Sequence, residues 1–87
     1  MKVRAKFVGS PHTIVGASDI WFFFDKDEIT VHELLTKLEM ERGVKLDVES
    51  DNIVVLVNGR RIEFVGGLDA KLKDLDEVVV ASIIGGG

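Results

Sequence analysis

The sequence contains no cysteine among its 87 residues. It therefore has no disulfide framework, no thiolate nucleophile and no set of thiolate ligands for a zinc finger. The lack of cysteine also fits a protein of the reducing cytosol. We expect a cytoplasmic location.

Long apolar runs are missing as well. No segment approaches the roughly 18 consecutive apolar residues of a membrane-spanning helix, and the basic residues near the start are not followed by the apolar segment of a signal peptide. The formal net charge is −4 and the isoelectric point is about 5.0, which gives no general electrostatic attraction to nucleic acid. These absences predict a protein that binds neither membranes nor nucleic acids.

The sequence does contain enough apolar material for a core. Hydrophobic residues make up 46% of the chain and the mean hydropathy is +0.22, which is typical of a packed domain rather than a disordered tail. A chain of this size buries about 60–65% of the surface of its unfolded state. We expect one small domain with one modest core.

A first strand is predicted at the start of the chain. Residues 2–7 alternate between basic and apolar side chains, which indicates a strand with one wet and one buried face. The Gly-Ser-Pro sequence at residues 9–11 ends this strand, and we expect a loop from there to Ser18.

A second strand is predicted in the aromatic run at residues 20–24. Because side chains alternate across a strand, one set should pack on the core while the other faces away. That arrangement would expose aromatic side chains such as Trp21 and Phe23, and exposed apolar patches often mark interfaces. The alternative is that the connecting loop or a second copy of the chain covers them.

One amphipathic helix is predicted over residues 30–42. Thr30 and Glu33 have the spacing of a capping box, and Gly43 is a natural stop. One helical face is apolar because four residues recur at the helical spacing: Val31, Leu34, Leu35 and Leu38.

The second half of the chain predicts three further strands. The apolar run of residues 53–57 suggests a central strand or one buried on both faces, and Asn58-Gly59 is a strong signal for a two-residue hairpin turn. Residues 61–64 then form the short return strand. Leu68 and Leu72 could anchor a single helical turn, and residues 77–83 form the last strand.

The predicted order is two strands, a helix and three strands. This order favours an α+β fold in which a mixed sheet of about five strands carries one main helix on one face. The first and last strands can pair in parallel if they lie side by side in the centre. That is the β-grasp, or ubiquitin-like, arrangement, although other small α+β sandwiches have a compatible order.

The sequence ends in Gly85, Gly86 and Gly87. Glycine has no Cβ and suits a segment that something else must approach closely. Three residues reach at most about 10 Å, enough to present a terminal carboxylate in a narrow channel. A frayed terminus is the alternative. We expect residues 1–84 to form the domain and residues 85–87 to form a flexible tail.

Several segments together resemble the MoaD/ThiS branch of ubiquitin-like proteins. This branch includes the small subunit of molybdopterin synthase and the sulfur carrier of thiamine thiazole synthesis. The resemblance rests on the helix entry at Thr30-Val31, the turn Val57-Asn58-Gly59-Arg60, the segment at residues 72–78 and the terminal glycines. Two features of this chain depart from the family pattern: Leu75 stands where glycine is usual, and the segment just before the final glycines contains no proline.

The resemblance implies a carrier rather than an enzyme. In the family, an adenylating enzyme of the ubiquitin-activating type uses ATP to activate the terminal glycine carboxylate, and sulfur then replaces AMP to give a thiocarboxylate. For this chain the resemblance implies that Gly87 is activated, that Gly85 and Gly86 provide clearance, and that the chain itself binds no cofactor. The catalytic groups would lie on partners, either the large subunit of molybdopterin synthase or thiazole synthase. The candidate residues for the partner interface are Trp21, Phe23, Arg60, Ile83 and Ile84.

Two other functions stay open. The chain could be a ubiquitin-like modifier that is linked to lysines of other proteins, or a non-covalent binding module whose glycine end is incidental. A metal or nucleophilic site finds little support, because His12 and His32 are too few and too isolated for a metal and no serine has the sequence context of a nucleophile.

Overall fold

The computed structural model of the protein describes residues 1–83. Its main sheet has five strands in the order β2-β1-β7-β4-β5, and β3 and β6 form a separate two-stranded sheet. In chain order the elements are β1 (Lys2–Val8), α1 (Ser10–Val15), β2 (Asp19–Phe23), β3 (Glu28–Thr30), α2 (Val31–Arg42), β4 (Ile53–Val57), β5 (Arg60–Arg61), β6 (Lys71–Lys73) and β7 (Glu77–Ser82).

The main sheet is mixed. The first and last strands, β1 and β7, lie side by side in the centre and pair in parallel, whereas the other neighbours pair antiparallel. Together with the single long helix α2, this topology confirms the predicted β-grasp fold.

The core lies between one face of the main sheet and α2. It is a single cluster of buried apolar residues, and in residues 1–83 no polar or charged side chain is buried. Each large side chain that is fully buried contributes about 1.5–3 kcal/mol. The core residues on the main sheet and α2 are Val3, Ala5, Phe7, Phe22, Val31, Leu34, Leu38, Val55, Val57, Val78 and Val80.

The predicted helix is confirmed as α2. The Thr30 side chain accepts a hydrogen bond from the Glu33 N–H at 3.1 Å, and the Glu33 carboxylate accepts one from the Thr30 N–H at 3.2 Å, which completes the capping box. Gly43 ends the helix in the left-handed conformation, with φ of 66°. Among the described residues no helix is long and apolar enough to cross a membrane.

The loop predicted between residues 9 and 18 is wrong, because six of its residues form α1. Pro11 lies in the first turn of this helix, where its missing N–H costs nothing. Pro11 and Val15 are buried, so packing stabilises a helix too short to show a periodic pattern.

The hairpin turn after β4 is confirmed, but the return strand is shorter than predicted. Asn58 and Gly59 both have positive φ, at 50° and 84°. Only Arg60 and Arg61 pair with β4, and residues 62–64 form a 3₁₀ turn instead of a strand. The chain leaves the sheet edge there because Ile62 turns into the core, where it is buried.

The helical turn predicted around Leu68 and Leu72 is also only partly right. A 3₁₀ turn covers Gly67–Asp69, but Leu72 lies in the strand β6, which pairs with β3. Leu72 and its partner Ile29 are both buried, and each is flanked by exposed or half-buried polar residues. The alternation is that of a strand, in a segment of only three residues.

The turn into β7 keeps the backbone that glycine favours, although it carries Leu75. This residue has φ of 70°, and its N–H donates to the Lys2 carbonyl oxygen at 2.7 Å. Asp76 closes the turn by accepting from the Lys73 N–H at 2.8 Å and from the Asn58 Nδ2 at 3.0 Å. A leucine in this left-handed conformation strains the turn, and the hydrogen bonds around it keep the turn in place.

Candidate functional site

The end of β7 is the structural base of the glycine tail. β7 lies between β1 and β4 in the main sheet, so the described part of the chain ends on a central strand. The Ser82 Oγ accepts a hydrogen bond from the Ser10 N–H at 3.3 Å, and the Ile83 N–H donates to the Asn52 carbonyl oxygen at 2.8 Å. The strand is thus held on both sides up to Ile83.

The residues predicted to react or to give clearance come shortly after Ile83 in the sequence. Gly85, Gly86 and Gly87, and the candidate contact residue Ile84, lie outside the described residues. Ile83 lies inside them and is 51% exposed. The site can therefore be built from the structure up to this residue.

Trp21 and Phe23 lie on the face of the sheet opposite to α2, hereafter the outer face. Their neighbour Phe22 is 1% exposed, whereas Trp21 is 42% and Phe23 is 64% exposed. Alternation along β2 explains this pattern, since Phe22 pairs with the buried Val3 of β1.

The basic side chains of β1 are engaged with neighbours on the same outer face. Arg4 Nε is 2.9 Å from Asp19 Oδ1, and Lys6 Nζ is 3.7 Å from Glu77 Oε2. Lys2 Nζ lies 4.9 Å from the centre of the Trp21 ring, within the range of a cation–π interaction. On this surface Arg4 and Lys6 are therefore paired with carboxylates, while Lys2 keeps its charge over the Trp21 ring.

A third part of the outer face is aliphatic. Val54, Leu56, Val79 and Ala81 are half-buried and lie opposite one another on β4 and β7, as Val54 with Ala81 and Leu56 with Val79. We call these four residues the aliphatic stripe. The sequence did not reveal the stripe, because a continuous apolar run shows no alternation and suggested only a central strand or one buried on both faces.

The four candidate interface residues that the structure describes are not all brought together. Arg60 is exposed on β5, at the sheet edge opposite to β2. Four strand spacings separate these edges, or roughly 19 Å. The aliphatic stripe lies between them and leads toward Ile83. Of the candidates, Trp21 and Phe23 therefore share one patch, and Arg60 lies apart from it.

The ionisable side chains of the described residues form no metal centre. No group of three histidine, cysteine, aspartate or glutamate residues within 1–83 could hold a metal ion. The two carboxylates with a shifted pKa have local causes. The Lys26 hydrogen bond lowers the pKa of Glu33, and a hydrogen bond from its own backbone N–H, with a second from Arg61, lowers that of Glu63.

Comparisons with known proteins give consistent results. The model of the ThiS family matches residues 5–87 of this chain. A protein of Archaeoglobus fulgidus, provisionally named a sulfur carrier protein, is 31% identical over 70 residues, which are 72% of this chain and 80% of that protein.

Two solved structures extend the comparison over the whole fold. The solution structure of the HVO 2177 protein from Haloferax volcanii has a TM-score of 0.77 and 30% identity, covering 100% of this chain and 87% of that one. A chain of the BexX/CysO complex from Amycolatopsis orientalis has a TM-score of 0.72 and 25% identity, covering 98% of this chain and 99% of that one.

Proposed function

This chain belongs to the ThiS family of ubiquitin-like sulfur carriers, and we propose that its terminal Gly87 is adenylated and then converted to a thiocarboxylate for sulfur transfer. The observation that carries the proposal is the family match, which covers residues 5–87 and so includes the final glycines. The structure supports it by anchoring the strand before those glycines up to Ile83. Proteins of this family are carriers rather than catalysts.

The proposed chemistry needs only a reachable carboxylate from this chain. A carboxylate is a poor electrophile, so its oxygen first attacks the α-phosphorus of ATP and pyrophosphate leaves. A hydrosulfide equivalent from a sulfur donor then attacks the acyl carbon, and AMP leaves to give the thiocarboxylate. ATP is bound by the adenylating enzyme of the ubiquitin-activating type, and the catalytic groups lie on partners in the cytoplasm. Gly85 and Gly86 supply clearance, and the four residues after Ile83 reach at most about 14 Å.

The proposed docking surface is the outer face. The inner face is covered by α2, so a partner that follows the sheet toward the end of β7 meets the outer face. There it finds the aliphatic stripe, which leads to Ile83, and the exposed aromatic side chains of Trp21 and Phe23. Exposed apolar surface of this kind often marks an interface. Arg60 would contact only a partner that reaches the far edge.

The proposed destination of the sulfur is molybdopterin, with this chain as the small subunit of molybdopterin synthase. The sequence resemblance to the MoaD/ThiS branch supports this assignment. Thiazole synthase is the alternative receiving enzyme. The purified thiocarboxylated chain should support molybdopterin formation by the synthase large subunit, and activity with thiazole synthase alone would redirect the proposal to that pathway.

The tail chemistry is tested by intact-mass measurement. The chain is incubated with the adenylating enzyme of its own organism, ATP and sulfide. We expect a mass gain equal to the replacement of one oxygen by sulfur. A chain lacking Gly86 and Gly87 should show no gain, and Gly86→Val should react slowly because its Cβ narrows the fit.

Three different results would separate the proposal from the rival functions. An unchanged mass, with an enzyme that activates another carrier in parallel, would contradict the proposal. Recovery of the chain bonded to lysines of other proteins would instead support the modifier. Full cellular function of the truncated chain would support a non-covalent binding module.

A further inference from the structure

Gly9, between β1 and α1, makes a close contact with the end of β7. A Cβ built on Gly9 would lie 2.0 Å from the Ser82 Oγ and 3.2 Å from its Cβ. Real Cβ atoms essentially never come within 3.0 Å of an atom outside their own residue and its two chain neighbours. An alanine at position 9 would therefore displace the Ser82 Oγ from its present position, by rotation of that side chain, and would press on the Ser82 Cβ.

The backbone conformation of Gly9 also contributes to the contact with Ser82. Its φ of 74° and ψ of −136° lie in a region that is open almost only to glycine. This conformation turns the chain from β1 into α1 and aims the Ser10 N–H at the Ser82 Oγ. The bond joins residues 72 positions apart, one near each end of the chain.

We propose that Gly9 and Ser82 are positioning residues, which set the direction in which the chain leaves β7 and so the alignment of the tail in the adenylating enzyme. The inference rests on the proposed function of the tail. With the Ile83 N–H bound to Asn52 on the other side, the base of the tail is held between two segments. A tail with a fixed base loses less freedom on threading, and an error of about 1 Å in placing a reacting atom can cost up to about 100-fold in rate.

The test is a double-mutant cycle of Gly9→Ala and Ser82→Gly, measured by ATP–pyrophosphate exchange with the adenylating enzyme of the same organism. Gly9→Ala should lower kcat about tenfold with little change in KM, because the tail is misdirected while the outer face is intact. Gly9→Ala should lower kcat less in the Ser82→Gly background than in the wild type, since the Oγ that the alanine displaces is absent there. The backbone strain that alanine causes at position 9 is the same with Ser82 and with Gly at position 82, so it cancels from the coupling between the two substitutions.

Gly16→Ala is the matched control. Gly16 lies at the other end of α1 and also has positive φ, at 79°, but an added Cβ would meet nothing within 4 Å. This variant should lose stability and keep the wild-type kcat. If Gly9→Ala does not fold, Ser82→Ala replaces it, because it removes only the Oγ; amide exchange at Ile83 should then become faster and kcat should fall.

The outcomes separate the two proposals. Loss of stability in Gly9→Ala and Ser82→Ala with wild-type kcat would overturn the inference, while exchange by the wild-type chain would leave the proposed function standing. No exchange by the wild-type chain, with an enzyme that is active on another carrier, would overturn the proposed function and the inference with it.

Discussion

The two faces of the main sheet differ in what their residues do. On the inner face, Val3, Phe22 and Val78 are at most 1% exposed and contribute by packing. On the outer face, the same strands carry paired charges and exposed aromatic rings. Exposed ion pairs contribute only about 0–1 kcal/mol each, so these pairs add little to stability.

This difference separates folding from contact. A change on the inner face alters the core that every strand shares. A change on the outer face leaves the core intact and alters what a partner would meet. Adjacent residues of β2 make the comparison sharp, because Phe22 and Trp21 share one strand and point to opposite faces.

The largest expected effect is that of Phe22→Ala. Removing this buried ring should lower the free energy of unfolding by about 3–5 kcal/mol. Trp21→Ala should cost less, about 1–2 kcal/mol, from the partly buried ring and its cation–π contact with Lys2, but should weaken binding of the adenylating enzyme about tenfold or more. Urea unfolding measures the first quantity and calorimetry the second.

Two conservative variants serve as controls. Phe22→Leu should remain folded and bind the enzyme normally, and Trp21→Phe should keep most of the binding. Equal losses of stability in Phe22→Ala and Trp21→Ala would break the distinction between the faces. Unchanged binding by Trp21→Ala would remove Trp21 from the proposed interface.

A smaller effect is expected at Leu75, where the backbone rather than packing is at stake. The side chain is 62% exposed and φ is 70°. Glycine relieves the left-handed strain of about 1–2 kcal/mol and costs about 0.5–1 kcal/mol in unfolded-chain entropy. Leu75→Gly should therefore raise the midpoint of urea unfolding slightly.

Leu75→Ala is the matched control. It removes the same exposed side chain and keeps the strain, so it should give no gain. If Leu75→Gly were as unstable as Leu75→Ala or less stable, the leucine side chain would contribute packing that offsets its backbone conformation.

Local signals were enough to predict part of this fold. Thr30 and Glu33 identified the start of α2, and Asn58-Gly59 identified the hairpin, because each signal acts within a few residues. β3 and β6 were missed because three residues show no reliable period and their pairing joins segments about 40 positions apart. α1 was missed because tertiary packing, rather than sequence pattern, stabilises six residues.

The candidate site, like the fold, was predicted from the sequence only in part. Alternation along β2 correctly indicated that one aromatic set would face away from the core. The aliphatic stripe could not be seen, because the register of β4 against β7 decides which of the apolar residues in a continuous run face outward. The roles of Gly85, Gly86 and Gly87 stay predictions, since they lie outside the described residues.

The smallest expected effect lies on α2, at a charge that never enters the core. The Lys26 Nζ is 2.9 Å from Glu33 Oε2, and this hydrogen bond lowers the pKa of Glu33 below its ordinary value of 4.5. A carboxyl group whose pKa is lower in the folded state stabilises the fold above its unfolded pKa and loses that contribution as the pH falls through the folded one.

Glu33→Gln keeps an acceptor for the capping box but should remove this part of the pH dependence below about pH 4.5. Lys26→Ala should remove most of it as well, because Lys26 is the main cause of the lowered pKa. Urea unfolding at several values between about pH 3 and pH 7 measures the effect, and added salt should reduce it in the wild type because the pair is exposed. Parallel stability curves for Glu33→Gln and the wild type would show that the pair contributes nothing, and that α2 is held by its cap and its buried face alone.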